Sequence, residues 1–341
     1  MNDLRSWEES IEHFRGVHGT IITVGPVDSG KTTWIGSCIR DQNRGSIALV
    51  SCDLGQVTFG APGLLSAARC DPSTDHISGL RPERMYFVGQ TQPAGRFLQT
   101  IHGATLLAAW TRRKADTVLI DTDGYVAGPA AREYKRTLLS LLSPCTAVFF
   151  GDHPDLAPLR RWGRSMADIE VYGVKTPSSI QPKTAEQRQR YRNTRLLAWF
   201  REAQTYTLSL KSNLIMSGLT SVGRPVPEEE FRQIQGLLRV DPLWVEKNST
   251  RLAVLTSGEV ASEDAVRLRR EYGDHRVLIR PGSYWEGRLV GDYGETGFSS
   301  GMGYITGWKN SPPRMIIRGR FFREPGNTWL IGQNSFHGIM G

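Results

Sequence analysis

The stretch GTIITVGPVDSGKTT at residues 19–33 decides the fold of this chain. Five of its first six residues are β-branched, which predicts a buried strand. The next eight, GPVDSGKT at 25–32, match G-x-x-x-x-G-K-[S/T] at every fixed position. In this pattern, backbone N–H groups of the loop and of the following helix point at phosphate oxygens. The stretch therefore predicts a strand, a phosphate-binding loop and a helix, and with them nucleotide binding.

The loop also carries side chains suited to a nucleoside triphosphate. We expect Lys31 to neutralise the β- and γ-phosphates of ATP, or of another nucleoside triphosphate, and the Thr32 hydroxyl to ligate Mg²⁺. The predicted ATP-binding residues are Gly25, Pro26, Val27, Asp28, Ser29, Gly30, Lys31, Thr32 and Thr33.

The alternation of strand and helix continues beyond the loop. Apolar runs of strand length occur at 46–51, 84–89, 117–121 and 146–151. Apolar residues spaced by three and four, as in helices, occur at 32–42, 96–113 and 130–142. This alternation predicts an α/β fold with a mostly parallel sheet flanked by helices.

A further helix is predicted over 184–203, where Thr184 and Gln187 have the spacing of a capping box. Its Arg188, Arg192 and Arg195 are spaced by four and three, so they share one helix face. Such a face suits a lid that stabilises a transferring phosphoryl group. A helix face exposed to solvent has the same pattern, so the stripe alone leaves both interpretations open.

The composition changes after about residue 205. Short apolar runs separated by Gly, Pro and Asn predict a second, β-rich domain. We therefore divide the chain into a short N-terminal segment 1–18, a nucleotide-binding domain 19–204 that includes the lid helix, and a β-rich domain 205–341.

Composition limits the class of protein. With 22% charged and 39% hydrophobic residues, the chain is not mainly disordered. Its net charge of +8 comes from 34 arginines and eight lysines, which favours a nucleotide or nucleic acid as partner, although a G- and C-rich genome also raises arginine content. No run is long enough to span a membrane and no signal peptide is recognisable, so we expect a cytoplasmic protein. The four scattered cysteines predict free thiols.

Two aspartates follow predicted strands and compete for the acidic roles. Asp53 follows the strand at 46–51, and Asp121 ends the strand at 117–121. An acid at this edge of the sheet can hold Mg²⁺ or accept the proton of an attacking hydroxyl. Both residues are therefore candidate metal ligands, and the sequence does not decide which lies closer to the metal.

Three functions fit this pattern. The first is a kinase. The second is a GTPase or regulatory NTPase that uses water as acceptor, with Asp121 and Gly124 as its D-x-x-G element. No [N/T]-K-x-D element, which would select guanine, follows an apolar strand, and this argues against the second function. The third is a nucleotide-binding scaffold without catalysis.

Five ordered motifs resemble the polynucleotide 5′-hydroxyl kinases, the family that includes the kinase subunit of the mRNA cleavage and polyadenylation factor and a ribosomal-RNA processing kinase. The resemblance covers about residues 19–204. Its motifs are GPVDSGKTT at 25–33, CDLGQ at 52–56 followed by Pro62 and Gly63, GQTQP at 89–93, IDTDGYVAG at 120–128, and the arginine stripe before Trp199 and Phe200. We call residues 89–93 the clasp segment.

The resemblance implies an ATP- and Mg²⁺-dependent kinase acting on the 5′-hydroxyl of single-stranded RNA or DNA. It implies Asp53 as general base, with Lys31 and the three lid arginines around the transferred phosphoryl group. The implied substrate-binding residues are Gln56, Gln90, Thr91, Gln92 and Tyr125. Protein partners, oligomeric state and pathway stay open.

The chain departs from the family at three places. Tyr125 stands where the family often has a Trp, and its ring can still stack on a base. Arg96 stands where many relatives have an Asn. About 18 residues precede the first predicted strand, in place of the N-terminal β-domain of eukaryotic members, so we expect a bacterial or archaeal form.

Overall fold

The computed structural model describes residues 4–40, 45–71, 74, 76–216, 223–310 and 312–336. The chain divides into two compact units, Met1–Ala198 and Trp199–Gly341. This division falls inside the predicted lid helix, and the sequence-based boundary at residue 204 stays a prediction. Parts of three predictions lie outside the described residues: positions 41 and 42 of the first helix, 1–3 of the N-terminal segment, and 217–222, 311 and 337–341 of the β-rich domain.

The first unit is built on an eight-stranded sheet. Its strands are β1 Leu4–Arg5, β2 Gly19–Val24, β3 Ile47–Ser51, β4 Leu64–Cys70, β5 Arg84–Phe87, β6 Thr117–Asp121, β7 Cys145–Phe150 and β8 Ile169–Val174. They lie in the order β1-β8-β7-β2-β6-β3-β4-β5. Every pairing from β1 to β3 is parallel, while β4 and β5 are added antiparallel. The predicted mostly parallel sheet is confirmed.

Six α-helices occur among the described residues up to Phe200. They are α1 Trp7–His13, α2 Lys31–Arg40, α3 Phe97–Thr111, α4 Pro129–Leu142, α5 Leu156–Arg164 and α6 Ala185–Phe200. The predicted capping box is present at α6, because Thr184 N donates to Gln187 Oε1 at 2.8 Å and Gln187 N donates to Thr184 Oγ1 at 3.1 Å. We call α6 the lid helix.

Some elements of the first unit were not predicted. The N-terminal segment contributes β1 and α1, and Trp34 Nε1 of α2 donates to Ser10 Oγ of α1 at 2.9 Å. Strand β4 has a weak strand sequence, LLSAARC, yet pairing with β3 and β5 buries most of it. Tertiary pairing therefore outweighs local propensity here.

The order of the strands positions the functional loops. Strand β6 lies between β2 and β3, with Asp121 paired in register with Thr23 of β2 and Ser51 of β3. All three strands are parallel, so the segments that follow them meet at one edge of the sheet. The phosphate-binding loop after β2 and Asp53 after β3 thus flank Asp121.

The second unit is rich in strands, as predicted, and also contains two helices. Its elements are β9 Gln204–Ser209, β10 Leu214–Met216, β11 Arg224–Pro225, α7 Glu228–Leu237, β12 Pro242–Lys247, β13 Arg251–Thr256, α8 Ser262–Glu271, β14 Arg276–Pro281, β15 Arg288–Tyr293, β16 Gly301–Lys309, β17 Arg314–Phe321 and β18 Thr328–Ser335. One sheet has the order β10-β18-β15-β16-β17-β9 and the other has the order β11-β12-β13-β14.

The two sheets of the second unit share a core. Leu255 of β13 belongs to the same buried cluster as Val290 of β15 and Ile317 of β17. A separate cluster buries the apolar faces of α7 and α8 against β12 and β13. Among the described residues, no helix has the length and apolar character needed to cross a membrane.

Candidate active site

The phosphate-binding loop has the backbone that its sequence requires. Gly30 has φ 90° and Asp28 has φ 56°, a region that glycine enters freely and aspartate tolerates. In this conformation, Asp28 Oδ2 accepts from Lys183 N at 3.0 Å and from Arg188 Nη1 at 3.0 Å. Asp28 therefore ties the loop to the start of the lid helix.

Lys31 is buried and is held by the loop itself. Its Nζ donates to the carbonyl oxygens of Gly25 at 2.9 Å and Pro26 at 2.7 Å. Burial lowers the pKa of this ammonium, while the negative charges of Asp121 and Asp53 act in the opposite direction. The ammonium therefore lies in the loop, within the electrostatic reach of both candidate acids.

Asp121 lies behind the loop and accepts three hydroxyl groups. Thr32 Oγ1 donates to its Oδ2 at 2.6 Å, Thr58 Oγ1 donates to the same oxygen at 2.7 Å, and Thr23 Oγ1 lies 3.4 Å from Oδ1. A carboxylate next to a loop hydroxyl supplies the oxygen ligands that Mg²⁺ prefers. Among the described residues no group of three or more acidic, His or Cys side chains could hold a metal ion.

Asp53 is held differently. Its Oδ1 accepts from the backbone N–H groups of Gly55 at 2.9 Å and Gln56 at 2.7 Å. Burial raises the pKa of this carboxyl, and the negative charge of Asp123 raises it further, while the two backbone bonds oppose both effects. A raised pKa makes the carboxylate a stronger proton acceptor, which suits a general base.

A cleft of about 340 Å³ opens over these groups. It is lined by residues 27–33 of the loop, by Asp53 and Gln56, and by Arg188 and Tyr191 of the lid helix. The remaining predicted site residues, all of them described, lie outside this lining: Gly25, Pro26, Gln90, Thr91, Gln92, Asp121, Tyr125, Arg192 and Arg195. The structure thus joins the predicted base, the loop and the first lid arginine in one cavity.

The three lid arginines have three different environments. Arg188 forms the ion pair with Asp28 described above. Arg192 donates to Gln189 Oε1, and burial and the neighbouring Arg188 lower its pKa, while Asp53 opposes them. Arg195 donates to the carbonyl oxygens of Ser78 at 3.2 Å and Gly60 at 3.0 Å. Arg195 therefore anchors the helix to the backbone at Gly60 and Ser78, whereas Arg192 lies close enough to Asp53 for the charge of that carboxylate to act on its pKa.

The clasp segment packs against Gly55, two residues after Asp53. A Cβ atom at Gly55 would lie 2.7 Å from the Thr91 carbonyl oxygen and 3.8 Å from Arg192 Cδ, so only glycine permits this approach. Gln90 is buried and its Nε2 donates to the Ala94 carbonyl at 2.6 Å. Gln92 is exposed.

Two buried amide oxygens near this approach have no partner within the described residues. They are Oε1 of Gln56, whose Nε2 donates to the Arg188 carbonyl at 3.2 Å, and Oε1 of Gln90. Both amide nitrogens donate to backbone carbonyl oxygens, so each side chain keeps its Oε1 for a hydrogen-bond donor.

Tyr125 is half-buried and packs against Phe97, at 5.7 Å between ring centroids. Phe97 in turn stacks on Tyr134 at 5.1 Å. The ring predicted to stack on a base is therefore part of an aromatic row that begins inside the protein.

A buried polar cluster under Tyr125 was missed by sequence reasoning. Lys135 Nζ lies 3.1 Å from Asp123 Oδ1, and the side chains of the pair are 1% and 5% exposed. Tyr134 OH donates to Asp123 Oδ2 at 2.7 Å, and Tyr125 N donates to Asp123 Oδ1 at 2.9 Å. Lys135 lies on the apolar face of α4, where a buried charge without a partner would be costly. A lysine at such a position is the one feature of the sequence that could have indicated a buried acidic partner.

Gly124, the glycine of the D-x-x-G element, touches the phosphate-binding loop. A Cβ atom there would lie 2.5 Å from Val27 N and 2.5 Å from Val27 Cγ1. The cluster of Asp123, Tyr134 and Lys135 thus holds the segment that packs against the loop.

Comparisons with known proteins agree with this architecture. The family model described as mRNA cleavage and polyadenylation factor CLP1 P-loop matches residues 25–202. The chain is 24% identical over 288 residues to a polyribonucleotide 5′-hydroxyl-kinase of Methanocaldococcus jannaschii, covering 84% of this chain and 77% of that protein. It is 26% identical over 299 residues to a protein of the same name from Pyrococcus furiosus, covering 87% and 81%.

Solved structures are similar in fold. The wild-type Clp1p–Pcf11p complex contains a chain that matches with a TM-score of 0.61 at 11% identity, covering 96% of this chain and 77% of that chain. A second structure, of the interface between Pcf11p and Clp1p, matches with a TM-score of 0.59 at 10% identity. These similarities extend over both units.

Proposed function

The chain belongs to the mRNA cleavage and polyadenylation factor CLP1 P-loop family, and on that premise we propose that it is an ATP-dependent polynucleotide 5′-hydroxyl kinase. The similar archaeal proteins are named polyribonucleotide 5′-hydroxyl-kinases, which makes RNA the first substrate to test. One observation supports the proposal most: Asp53, the phosphate-binding loop and Arg188 line a single cleft.

The transfer follows from the positions of these groups. The loop N–H groups and Lys31 bind the β- and γ-phosphates. The 5′-hydroxyl oxygen forms a bond to the γ-phosphorus while the bond to the β,γ-bridging oxygen breaks, and ADP leaves. Asp53 accepts the hydroxyl proton, and the guanidinium groups of Arg188 and Arg192 stabilise the negative charge on the transferred group.

Mg²⁺ supplies charge neutralisation at the phosphates when it is bound. Thr32 Oγ1 and Asp121 would hold it, directly or through water, because this hydroxyl and this carboxylate are already 2.6 Å apart. In this proposal Asp121 binds the metal and Asp53 acts as the base. Each of the two aspartates then has one function.

Substrate positioning is assigned to the clasp segment and its neighbours. Gln56, Gln90, Thr91 and Gln92 hold the terminal nucleotide, and the Tyr125 ring offers a surface for base stacking. Both RNA and DNA ends are candidate acceptors.

The GTPase alternative is not favoured. The relatives are named kinases, and the D-x-x-G glycine serves here as a packing contact with Val27.

A labelling experiment tests the proposal. The protein is incubated with γ-labelled ATP, Mg²⁺ and matched 5′-hydroxyl RNA and DNA oligonucleotides, and labelled polymer is separated from free phosphate. We expect label on the oligonucleotide, none on an oligonucleotide that already has a 5′-phosphate, and none with Lys31→Ala. Lys114→Ala, which removes an exposed lysine, is the matched control and should transfer normally. Release of free phosphate alone would support the NTPase alternative.

A further inference from the structure

An exposed tyrosine of the second unit contacts two arginines. Tyr284, in the short 3₁₀ turn Gly282–Trp285, is 48% exposed. The guanidinium carbon of Arg288 lies 4.7 Å from its ring centroid, and that of Arg280 lies 5.4 Å away. We call Arg280, Tyr284 and Arg288 the Arg–Tyr–Arg surface.

The turn that presents Tyr284 is firmly held from below. Trp285 is buried in the core of the second unit. Trp308 Nε1 donates to the Gly282 carbonyl at 2.8 Å, and a Cβ atom at Gly282 would lie 2.5 Å from Trp308 Cδ1. The tyrosine ring therefore projects from a well-packed base, which reduces the entropy that it would lose on binding a ligand.

The surface carries positive charge that the protein does not neutralise. Within the described residues, neither Arg280 nor Arg288 has a carboxylate oxygen within 4.0 Å of its guanidinium nitrogens, and the nearby Glu286 forms no such pair. Arg280 belongs to β14, which is an edge strand of its sheet among the described residues. Arg280 Nη1 donates only to the backbone carbonyl of Ile279, at 2.9 Å, which leaves its charge without a counter-ion in the described part of the chain. Two guanidinium groups without a carboxylate partner, stacked on a half-exposed aromatic ring, match a ligand that has both anionic groups and flat rings.

We propose that the Arg–Tyr–Arg surface binds single-stranded polynucleotide: backbone phosphates bind Arg280 and Arg288 and draw their guanidinium groups off the ring, and a base then stacks on Tyr284. Single strands supply stackable bases and phosphates in alternation, and such binding tolerates any sequence. An acidic peptide would match the charge and leave the ring unused. The choice of ligand rests on the proposed kinase function, whose substrate is a polynucleotide.

Binding without catalysis tests this directly. A single-stranded 20-nucleotide RNA with a 5′-phosphate and a 3′ fluorophore is titrated with the full chain without ATP, and the dissociation constant is read from anisotropy at several salt concentrations. We expect Tyr284→Ala to weaken binding about tenfold and Tyr284→Phe, which keeps the ring, to stay within about twofold. Arg288→Ala should weaken binding and reduce the slope of log K against log salt by about 0.7.

The control is Arg232→Ala, which removes the same charge from the exposed face of α7 in the same unit and should bind as the unmodified protein does. Equal binding by Tyr284→Ala, Tyr284→Phe and the unmodified chain would overturn the proposal, as would equally effective competition by poly-glutamate. Because no phosphate is transferred in this assay, loss of kinase activity in the labelling experiment with binding retained would overturn the proposed function alone.

Discussion

Asp53 and Asp121 are alike in sequence context and different in chemistry. Asp121 is surrounded by hydroxyl donors from Thr32 and Thr58, which orient its oxygens beside the phosphate-binding loop. Asp53 accepts two backbone N–H groups on Oδ1 and borders the cleft. In the proposed mechanism the same residue type would serve two purposes, because the neighbouring groups determine which proton or ion each carboxylate meets.

Asp53→Asn tests the base assignment. We expect transfer to the 5′-hydroxyl to fall by at least about 10²-fold, because the amide cannot accept the proton. ATP binding, measured by calorimetry, should change little. Near-normal turnover in this variant would remove Asp53 from the base role.

The pH dependence should reflect the surroundings of Asp53. Burial and the charge of Asp123 both raise the pKa of its carboxyl. A general base must be in its carboxylate form to accept the proton. The rate should therefore fall as pH decreases through that raised pKa, at a higher pH than for an ordinary aspartate. In Asp123→Asn the neighbouring negative charge is lost, so the acid limb of kcat/KM should move to lower pH. If the acid limb of kcat/KM stayed at the same pH in this variant, a group other than Asp53 would control the rate.

At the scale of elements, two lid arginines have different expected roles, Arg192 in the proposed chemistry and Arg195 in anchoring the lid helix. Arg192→Ala should lower kcat by about 10²-fold or more, since the guanidinium stabilises charge that develops during transfer. Arg195→Ala should mainly lower stability, because its bonds go to backbone carbonyls of Gly60 and Ser78. Single-turnover rates and urea unfolding separate the two effects. Equal losses of kcat would contradict this division.

Helix α4 contributes Lys135 to a buried ion pair with Asp123, and removal of one partner is expected to lower stability. Lys135→Met leaves Asp123 buried without its cation and should reduce the free energy of unfolding by about 3–5 kcal/mol. The double variant Asp123→Leu with Lys135→Met should recover part of this loss, because no charge then remains buried. Urea denaturation measures both. If Lys135→Met reduced the free energy of unfolding less than the double variant does, the two charges would not be coupled in this way.

At the scale of the whole molecule, the net charge of +8 comes mostly from arginine. Arginine binds phosphate bidentately, so the KM for polynucleotide should rise steeply as salt increases. The KM for ATP should rise less, because loop N–H groups supply much of its binding. Steady-state kinetics from about 50 to 200 mM salt measure both. If both KM values depended equally on salt, the surplus arginines would not contribute to polynucleotide binding.

Much of the first unit could be predicted, because its strands and loop are encoded locally. Five of its strands and the lid helix with its capping box were identified from hydrophobic period and cap residues alone. Strands β1, β4 and β8 were not, since β1 is two residues long and β4 depends on its pairing with β3 and β5.

The sequence by itself determined the nucleotide-binding loop, the parallel α/β order and the family, because each depends on residue types at fixed short spacings. Only the tertiary structure decided that Asp121 meets Thr32, that Asp53 borders the cleft, and that Arg195 anchors while Arg188 faces the loop. It alone revealed the pair of Asp123 and Lys135 and the surface at Tyr284. The physical reason is that hydrogen bonds, burial and charge depend on residues far apart in the chain, and the strand order that brings them together results from packing.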